Sequence, residues 1–141
     1  MNVLPEVGQV RSMVVCAEVT RTQIVQYAGA SGDFSPLHTD EPAARAAGNA
    51  SIMAHGMMTM ALSSQIVTSW FGADSLRTFG VRFTAPVWPG DRLTTTATIA
   101  AVDTHGSCVR VRITLKTTND DGLPVLHGDA VVTVDSNSKL K

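Results

Sequence analysis

Two residues that could exchange protons stand close together in one short loop. The segment 27–38 reads YAGASGDFSPLH, with Asp33 and His38 five positions apart. Pro36 stiffens the turn between them, and Gly32 permits a backbone angle that other residues avoid. A carboxylate and an imidazole on one stiff loop can share a reacting water, one taking a proton and the other giving one. The loop therefore predicts acid–base chemistry; the alternative is a turn aspartate and an ordinary surface or core histidine.

A second candidate stands at the start of the apolar stretch that follows, at Ala54, His55 and Gly56. Where a helix begins, its first backbone N–H groups are free and carry a partial positive charge. Gly56 has no side chain to obstruct an approaching group, so a carbonyl oxygen could be polarised there as in an oxyanion hole. Alternatively, Gly56 only permits close packing of helix on sheet. For His55 we expect a structural role rather than a third catalytic one.

Two serines, Ser63 and Ser64, follow two turns into the same apolar stretch. A buried hydroxyl needs a hydrogen-bond partner. It could orient Asp33 or His38, or it could bond the backbone of its own helix one turn earlier. Neither serine lies in a G-x-S-x-G motif, so the sequence does not support an α/β-hydrolase nucleophile. His38 and His55 lack the short spacing of metal ligands, and we expect no metal.

Short elements are predicted before the apolar stretch. Residues 8–19 predict a first strand. Thr20 or Thr22 could cap a short helix that ends at Gly29. The Ala-rich segment 40–47 predicts another short helix after the loop that carries the acid–imidazole pair.

The longest predicted helix covers residues 53–71, which are small or apolar on nearly every side, and Gly72 supplies its end. A helix that is apolar on most faces is buried. Strands follow it, with the clearest alternation over 109–116, and a turn at 120–122 precedes a last strand at 123–134. Because nothing else in the chain could bury the helix, we predict an α+β layer in which a curved antiparallel sheet wraps it. An open sheet edge suits pairing with a second copy.

Composition limits the class of protein. The chain has 141 residues, 44% hydrophobic and 16% charged, which fits one globular domain over 1–141 with its core at about 8–134. A formal net charge of −1 predicts no basic face for nucleic acid. No stretch reaches the ~18 apolar residues of a membrane span, and the first residues lack a secretory signal. Two distant cysteines, Cys16 and Cys108, predict no disulfide framework, and we expect a cytoplasmic protein.

Three segments together resemble the MaoC-like hydratase and dehydratase family. They are YAGASGDFSPLHTD at 27–40, AHGM at 54–57 and VRFTAPVWPGD at 81–91. The resemblance covers about residues 10–134. Within the family, the sequence is similar to (R)-specific enoyl-CoA hydratases, and closer still to the dyad-bearing dehydratase subunits of type II fatty-acid synthases. It implies a hot-dog fold, which is a curved antiparallel sheet around a long helix and is usually dimeric.

The resemblance also implies roles for individual residues. Asp33 and His38 would be the catalytic pair, the Gly56 N–H would hold a thioester carbonyl, and Ser64 matches the serine that supports the pair. Ser35 stands where the family usually has Asn. A hydroxyl offers different hydrogen bonds from an amide, so the substrate preference could differ while both proton-transfer residues remain.

The implied reaction is the reversible hydration of a trans-2-enoyl thioester of CoA or acyl-carrier protein to a (3R)-hydroxyacyl thioester. It needs no metal or redox cofactor. The acyl tail would run beside the central helix, and basic residues would contact the phosphates of the carrier, although the apolar candidates could equally be ordinary core. The substrate-binding candidates are Ser35, His55, Met57, Met60, Trp70, Arg82 and Arg92.

Three other functions stay open at this point. A hot-dog thioesterase would hydrolyse the same substrates, but it normally needs a carboxylate on or near the central helix, and residues 53–71 contain no Asp or Glu. A non-enzymatic acyl-thioester-binding subunit commonly loses the catalytic pair, which this chain keeps. A third possibility is an active subunit that works only with a different hot-dog partner. We therefore expect either a homodimer or a heterodimer with another hot-dog subunit.

Overall fold

A computed structural model describes residues 4–136 of the chain. Its regular elements are one early strand, four helices and four further strands, with a single 3-10 turn at Ala73–Ser75. The elements are β1 (Val10–Cys16), α1 (Arg21–Ser31), α2 (Pro36–Thr39), α3 (Glu41–Ala46), α4 (Gly56–Phe71), β2 (Leu76–Phe83), β3 (Leu93–His105), β4 (Cys108–Thr118) and β5 (Pro124–Asp135). No helix in this range is long and apolar enough to cross a membrane.

The five strands form one antiparallel sheet in the order β1-β3-β4-β5-β2. Strand β4 shows why the sheet has one buried face: its residues alternate strictly between exposed and buried from Cys108 to Thr117. Helix α4 contacts both edge strands, β1 and β2, as well as β3 and β5. A single helix can contact both edges only if the sheet curves around it. The predicted α+β hot-dog fold is therefore confirmed.

The main core lies between α4 and the sheet. Ile66, Val67 and Trp70 of the helix pack on the buried faces of β3, β4 and β5. A second cluster, which includes Ile24 and Met58, lies beneath the loop segments nearer the amino end of α4. Trp70 is 3% exposed and belongs to the main core, so it is a packing residue and not part of an acyl-binding surface.

A chain of buried hydroxyls fastens α4 to the sheet. The Ser63 hydroxyl donates to the Thr59 carbonyl oxygen at 2.8 Å, one turn earlier in the helix. Ser63 Oγ and Thr95 Oγ1 each lie 2.7 Å from Thr117 Oγ1, and the three side chains are fully buried. Since the proton of Ser63 points to the carbonyl, Thr117 donates to Ser63 and Thr95 donates to Thr117. The alternative in which a buried serine bonds the backbone of its own helix one turn earlier is thus confirmed at Ser63.

Two helix boundaries differ from the sequence prediction. Helix α1 is capped by Thr20, as expected, but it runs to Ser31 and ends at Gly32, whose φ of 76° is left-handed. Gly29 lies inside the helix. Helix α4 begins at Gly56 rather than at residue 53, because the backbone before it bonds elsewhere: the Ala54 N–H donates to the Val87 carbonyl oxygen at 2.9 Å. The loop that holds Asp33 is therefore shorter than predicted.

Candidate active site

The Asp33 carboxylate is oriented by its own turn. Its Oδ1 atom accepts a hydrogen bond from the Ser35 backbone N–H at 3.2 Å, and its backbone N–H donates to Ser31 Oγ at 3.1 Å. Ser35 is also the residue that precedes helix α2, where its own side chain makes no capping bond. Pro36 then starts this four-residue helix, which carries His38. Hydrogen bonds within the loop therefore turn the carboxylate towards the imidazole.

His38 is held in one tautomer. Its Nδ1 atom lies 2.7 Å from the Met53 carbonyl oxygen. A carbonyl can only accept, so Nδ1 carries the proton in the neutral ring and Nε2 keeps its lone pair. That Nε2 atom lies 3.8 Å from Asp33 Oδ2. The imidazole side chain is 14% exposed and the carboxylate 54%, so the pair sits at the boundary between protein and solvent.

His55 lies directly beneath this pair. It is 2% exposed, and its ring stacks on the His38 ring with centroids 3.9 Å apart and planes inclined by 25°. Its Nε2 atom lies 2.9 Å from the Asp33 carbonyl oxygen, and the Tyr27 ring lies on it at 4.8 Å. These contacts fit the structural role expected for His55, and they join it to both members of the acid–imidazole pair.

Gly56 and His38 line the same cavity, whose volume is about 330 Å³. Gly56 is the first residue of α4, so its backbone N–H has no partner within the helix. A methyl group at Gly56 would lie 3.1 Å from the Phe83 ring, which shows how closely the chain approaches there. The remaining lining residues are Met53, Ala54, Thr59, Phe83, Ala85, Pro86, Val87 and Val125. The cavity is therefore mostly apolar, with one imidazole and one helix start on its wall.

An ion-pair network centred on Glu41 joins helices α1 and α3. Glu41, at the start of α3, contacts Arg21 of α1 and also Arg45 one turn along its own helix. The hydrogen bond from Arg45, with a further bond from Arg21, lowers the pKa of Glu41 below its usual value. The network ties α1 to α3, and the loop and α2 lie between these two helices in the chain.

Asp33, His38 and His55 each offer a ligand atom within 4.8 Å of the others, so a metal must be considered. An ion bound by nitrogen and oxygen at about 2.1 Å needs ligand atoms within about 4.2 Å of one another. The group does not fit a shared ion as it stands, and the expectation of no metal stays a prediction.

Ser64 does not join the pair. Its hydroxyl donates to the Ala61 carbonyl oxygen at 2.7 Å, two turns along α4 from Gly56. Within the described part of one chain, no contact joins Ser64 to Asp33 or His38, so nothing there supports the role that the resemblance implies for Ser64. Met57 is 57% exposed, and neither Met57 nor Met60 lines the cavity that Gly56 and His38 share.

The basic candidates lie away from this cavity. Arg82 and Phe83 are consecutive in β2, so their side chains point to opposite faces of the strand. Phe83 lines the cavity beside Gly56, whereas Arg82 lines a separate cavity of about 540 Å³ with His127 and Asp129. Arg92 is exposed near the β4–β5 turn, where its backbone N–H donates to Asp120 Oδ1 at 3.0 Å. Neither arginine is brought to the acid–imidazole pair.

Sequence reasoning missed the residues that shape the cavity wall opposite α4. Phe83 ends β2, and Pro86 and Val87 lie in the segment that links β2 to β3. The signal was present, since they lie inside the VRFTAPVWPGD motif, which was used only for the resemblance. Their residue types do not predict that they line a cavity, because only the fold brings them close to Gly56.

The fold and the site together define a hot-dog protein with an acid–imidazole pair beside the start of its central helix. The family model described as MaoC like domain matches residues 3–120, and the chain belongs to this family. It is a family of hydratases and dehydratases, which act on enoyl and hydroxyacyl thioesters.

Named relatives agree with this placement. The mitochondrial 3-hydroxyacyl-(acyl-carrier-protein) dehydratase of Arabidopsis thaliana is 31% identical over 108 residues, which are 76% of this chain and 65% of that protein. The unliganded R-hydratase PhaJ1 of Pseudomonas aeruginosa has a TM-score of 0.78 at 27% identity, over 94% of this chain and 84% of that chain. A chain of the Mycobacterium tuberculosis ChsH1–ChsH2 complex has a TM-score of 0.76 at 23% identity, over 93% and 99%, which shows the shared fold.

The share of each relative that this chain spans varies widely. It spans 78% of a UPF0336 protein of Clavibacter michiganensis at 34% identity. It spans 5% of the fatty acid synthase subunit beta of Aspergillus oryzae at 36% identity. The domain therefore occurs both nearly alone and as a small part of much longer proteins.

Proposed function

We propose that this chain catalyses the reversible hydration of trans-2-enoyl thioesters to (3R)-hydroxyacyl thioesters. The observation that carries the proposal is the shared cavity: His38, with Asp33 beside it, and Gly56, the first residue of α4, both line one apolar space. An acyl thioester needs all three features, which are a group that moves protons, a donor for its carbonyl oxygen and an apolar wall for its chain.

In the proposed reaction, a water bound between Asp33 and His38 adds to the β-carbon. The Asp33 carboxylate takes one proton from the water while the oxygen of the water bonds the β-carbon. The electron pair of the double bond moves towards the thioester oxygen, where the Gly56 N–H stabilises the enolate-like charge. The proton then goes to the α-carbon with His38 assisting, so that one water is added and the pair ends unchanged. Dehydration follows the same path in reverse.

We further propose that the active form is a dimer, built from two copies or from this chain and another hot-dog subunit. Strand β2 is an edge of the sheet within the described chain, and Phe83 at its end is 46% exposed. An unpaired edge presents free N–H and C=O groups that a second strand can bond.

Both cysteines are free, which suits a reducing compartment such as the cytoplasm.

The direct test is the hydration of crotonyl-CoA, followed as the loss of enoyl absorbance. The purified wild-type chain is expected to be active, and Asp33→Asn is expected to lower kcat/KM by about two orders of magnitude or more. The substitution keeps an acceptor for the Ser35 N–H, so the turn persists while the base is lost.

Asp40→Asn is the matched control. Asp40 is an exposed aspartate that caps α3 through a bond from the Ala43 N–H, and asparagine caps a helix equally well. The control is expected to retain wild-type activity. A wild-type chain that is inert on short and long enoyl-CoA substrates, alone and with a hot-dog partner, contradicts the proposal.

A further inference from the structure

The two histidines of the site hold each other's chain segments in a crossed arrangement. His38 donates from Nδ1 to the carbonyl of Met53, two residues before His55. His55 donates from Nε2 to the carbonyl of Asp33, five residues before His38. The two rings stack between these bonds at 3.9 Å. We call this arrangement the crossed histidine pair.

The protonation state of His55 follows from its surroundings. The bond to a carbonyl places a proton on Nε2. The Nδ1 atom is buried and has no hydrogen-bond partner among residues 4–136. A second proton there would create a buried charge and an unpaired donor, both costly in a protein interior. The bond from Nε2 and the unpartnered Nδ1 atom therefore place the ring proton of His55 on Nε2.

The bond from His55 is also what ties Asp33 to a distant part of the fold. Among residues 4–136, the other hydrogen bonds of Asp33 are to Ser31 and Ser35, its near neighbours in the chain. Those bonds shape the turn but cannot fix where the turn lies. His55, placed one residue before α4, links the turn to the start of the helix, where the Gly56 N–H is.

We propose that His55 is a positioning residue for the hydration reaction, fixing the Asp33 carboxylate relative to His38 and Gly56. The inference rests on the proposed function. His55 is absent from the wall of the cavity, although both of its neighbours, Ala54 and Gly56, line it. It therefore acts through Asp33, whose carbonyl it bonds, and not through contact with the acyl thioester, in contrast to the substrate-binding role that the resemblance suggests for it.

The test compares two substitutions at this position. In His55→Gln, the carboxamide nitrogen reaches about as far as the imidazole Nε2 and keeps the donor to the Asp33 carbonyl. In His55→Met, a flexible apolar side chain fills the space without a donor. We expect His55→Met to lower kcat about a hundredfold with KM changed less than threefold, since displaced reacting groups cost about that much. His55→Gln is expected to recover at least tenfold of that loss.

Ser63→Ala controls for the loss of a buried polar group from the same region. Ser63 is fully buried in α4 and bonds Thr59 and Thr117, with no contact to the loop at Asp33. It is expected to lower the thermal midpoint while kcat stays near that of wild type. Two results would overturn the proposal. One is an equal loss of kcat in His55→Met and Ser63→Ala when their thermal midpoints match. The other is a His55→Gln variant that is as slow as His55→Met.

Two measurements separate this inference from the proposed function. In the Asp33→Asn background, His55→Met is expected to cost less than threefold more, because a residue that acts through Asp33 has nothing left to position; a full further hundredfold loss contradicts the proposal. Nitrogen-15 spectra of the wild-type imidazoles are expected to show the proton of His38 on Nδ1 and that of His55 on Nε2. The spectra do not depend on turnover, so opposite tautomers contradict the crossed pair even in a chain inert towards crotonyl-CoA.

Discussion

The Nε2 atom of His38 lies 3.8 Å from the Oδ2 atom of Asp33. A direct hydrogen bond between nitrogen and oxygen spans about 2.7–3.2 Å, so the two atoms are too far apart to bond each other well. They are close enough for one water to bond both. The separation suits a pair that acts on a shared water rather than on one another.

Lengthening the carboxylate arm tests this relationship. Asp33→Glu keeps the charge but adds one methylene, which brings the carboxylate onto the imidazole and displaces the water. We expect kcat for crotonyl-CoA hydration to fall at least tenfold, because reacting groups misplaced by about 1 Å lose much of their rate. A glutamate variant as active as wild type would mean that the 3.8 Å gap has no part in the reaction.

Ser35, which stands where the family usually has Asn, is expected to be replaceable. The Asp33 carboxylate is held by the backbone N–H of Ser35, and the Ser35 side chain makes no capping bond for α2. We therefore expect Ser35→Ala to change kcat/KM by no more than about twofold, the scale of a surface substitution. A large loss in steady-state assays would show that the hydroxyl itself contacts the substrate or its water.

Gly56→Ala should separate activity from stability. The new methyl group meets the Phe83 ring at 3.1 Å, but that ring is 46% exposed and can shift by a few tenths of an ångström. Alanine also favours a helix over glycine. We expect the free energy of unfolding to stay constant or rise, while the methyl group obstructs the cavity and lowers kcat/KM at least tenfold. Gly80→Ala, which meets open space in β2, is the control and is expected to leave both quantities unchanged.

The buried hydroxyl chain predicts an order of stabilities. Thr117→Val leaves the Thr95 hydroxyl without an acceptor and removes the donor to Ser63. Such a loss of buried hydrogen bonds costs about 1–3 kcal/mol of unfolding free energy. Thr95→Val removes only the last donor of the chain and is expected to cost less. Urea denaturation of both variants gives the comparison, and equal costs would contradict the direction assigned to these bonds.

The acid stability of the protein should depend on Glu41. Its pKa is lowered in the folded state, chiefly by the hydrogen bond from Arg45, so its contribution is present above the ordinary pKa of a glutamate. The contribution is lost as pH falls through the lowered, folded-state value. We expect Glu41→Gln to be less stable than wild type at neutral pH, with the difference shrinking in acid and in high salt. A difference independent of pH in urea titrations would assign the effect to packing instead.

Much of the fold could be predicted because its signals are local. The strict alternation in β4 and the cap at Thr20 each depend on a few consecutive residues. So does the end of α4 before Gly72. The start of α4, which the sequence misplaced, depends on distant groups instead. Residues 53–55 stay outside the helix because the Met53 and Ala54 N–H groups bond the carbonyls of Leu37 and Val87, which no nearby window of sequence reveals.

For the candidate site, the sequence by itself predicted that Asp33 and His38 lie close together, because only four residues separate them in the chain. Only the tertiary structure decided which side chains surround them. It placed His55 under the pair and Phe83 beside Gly56, and it turned Arg82 to the opposite face of its strand. The contacts of His55 with Asp33 and of Phe83 with Gly56 join residues more than 20 positions apart in the chain, so no local pattern reveals them.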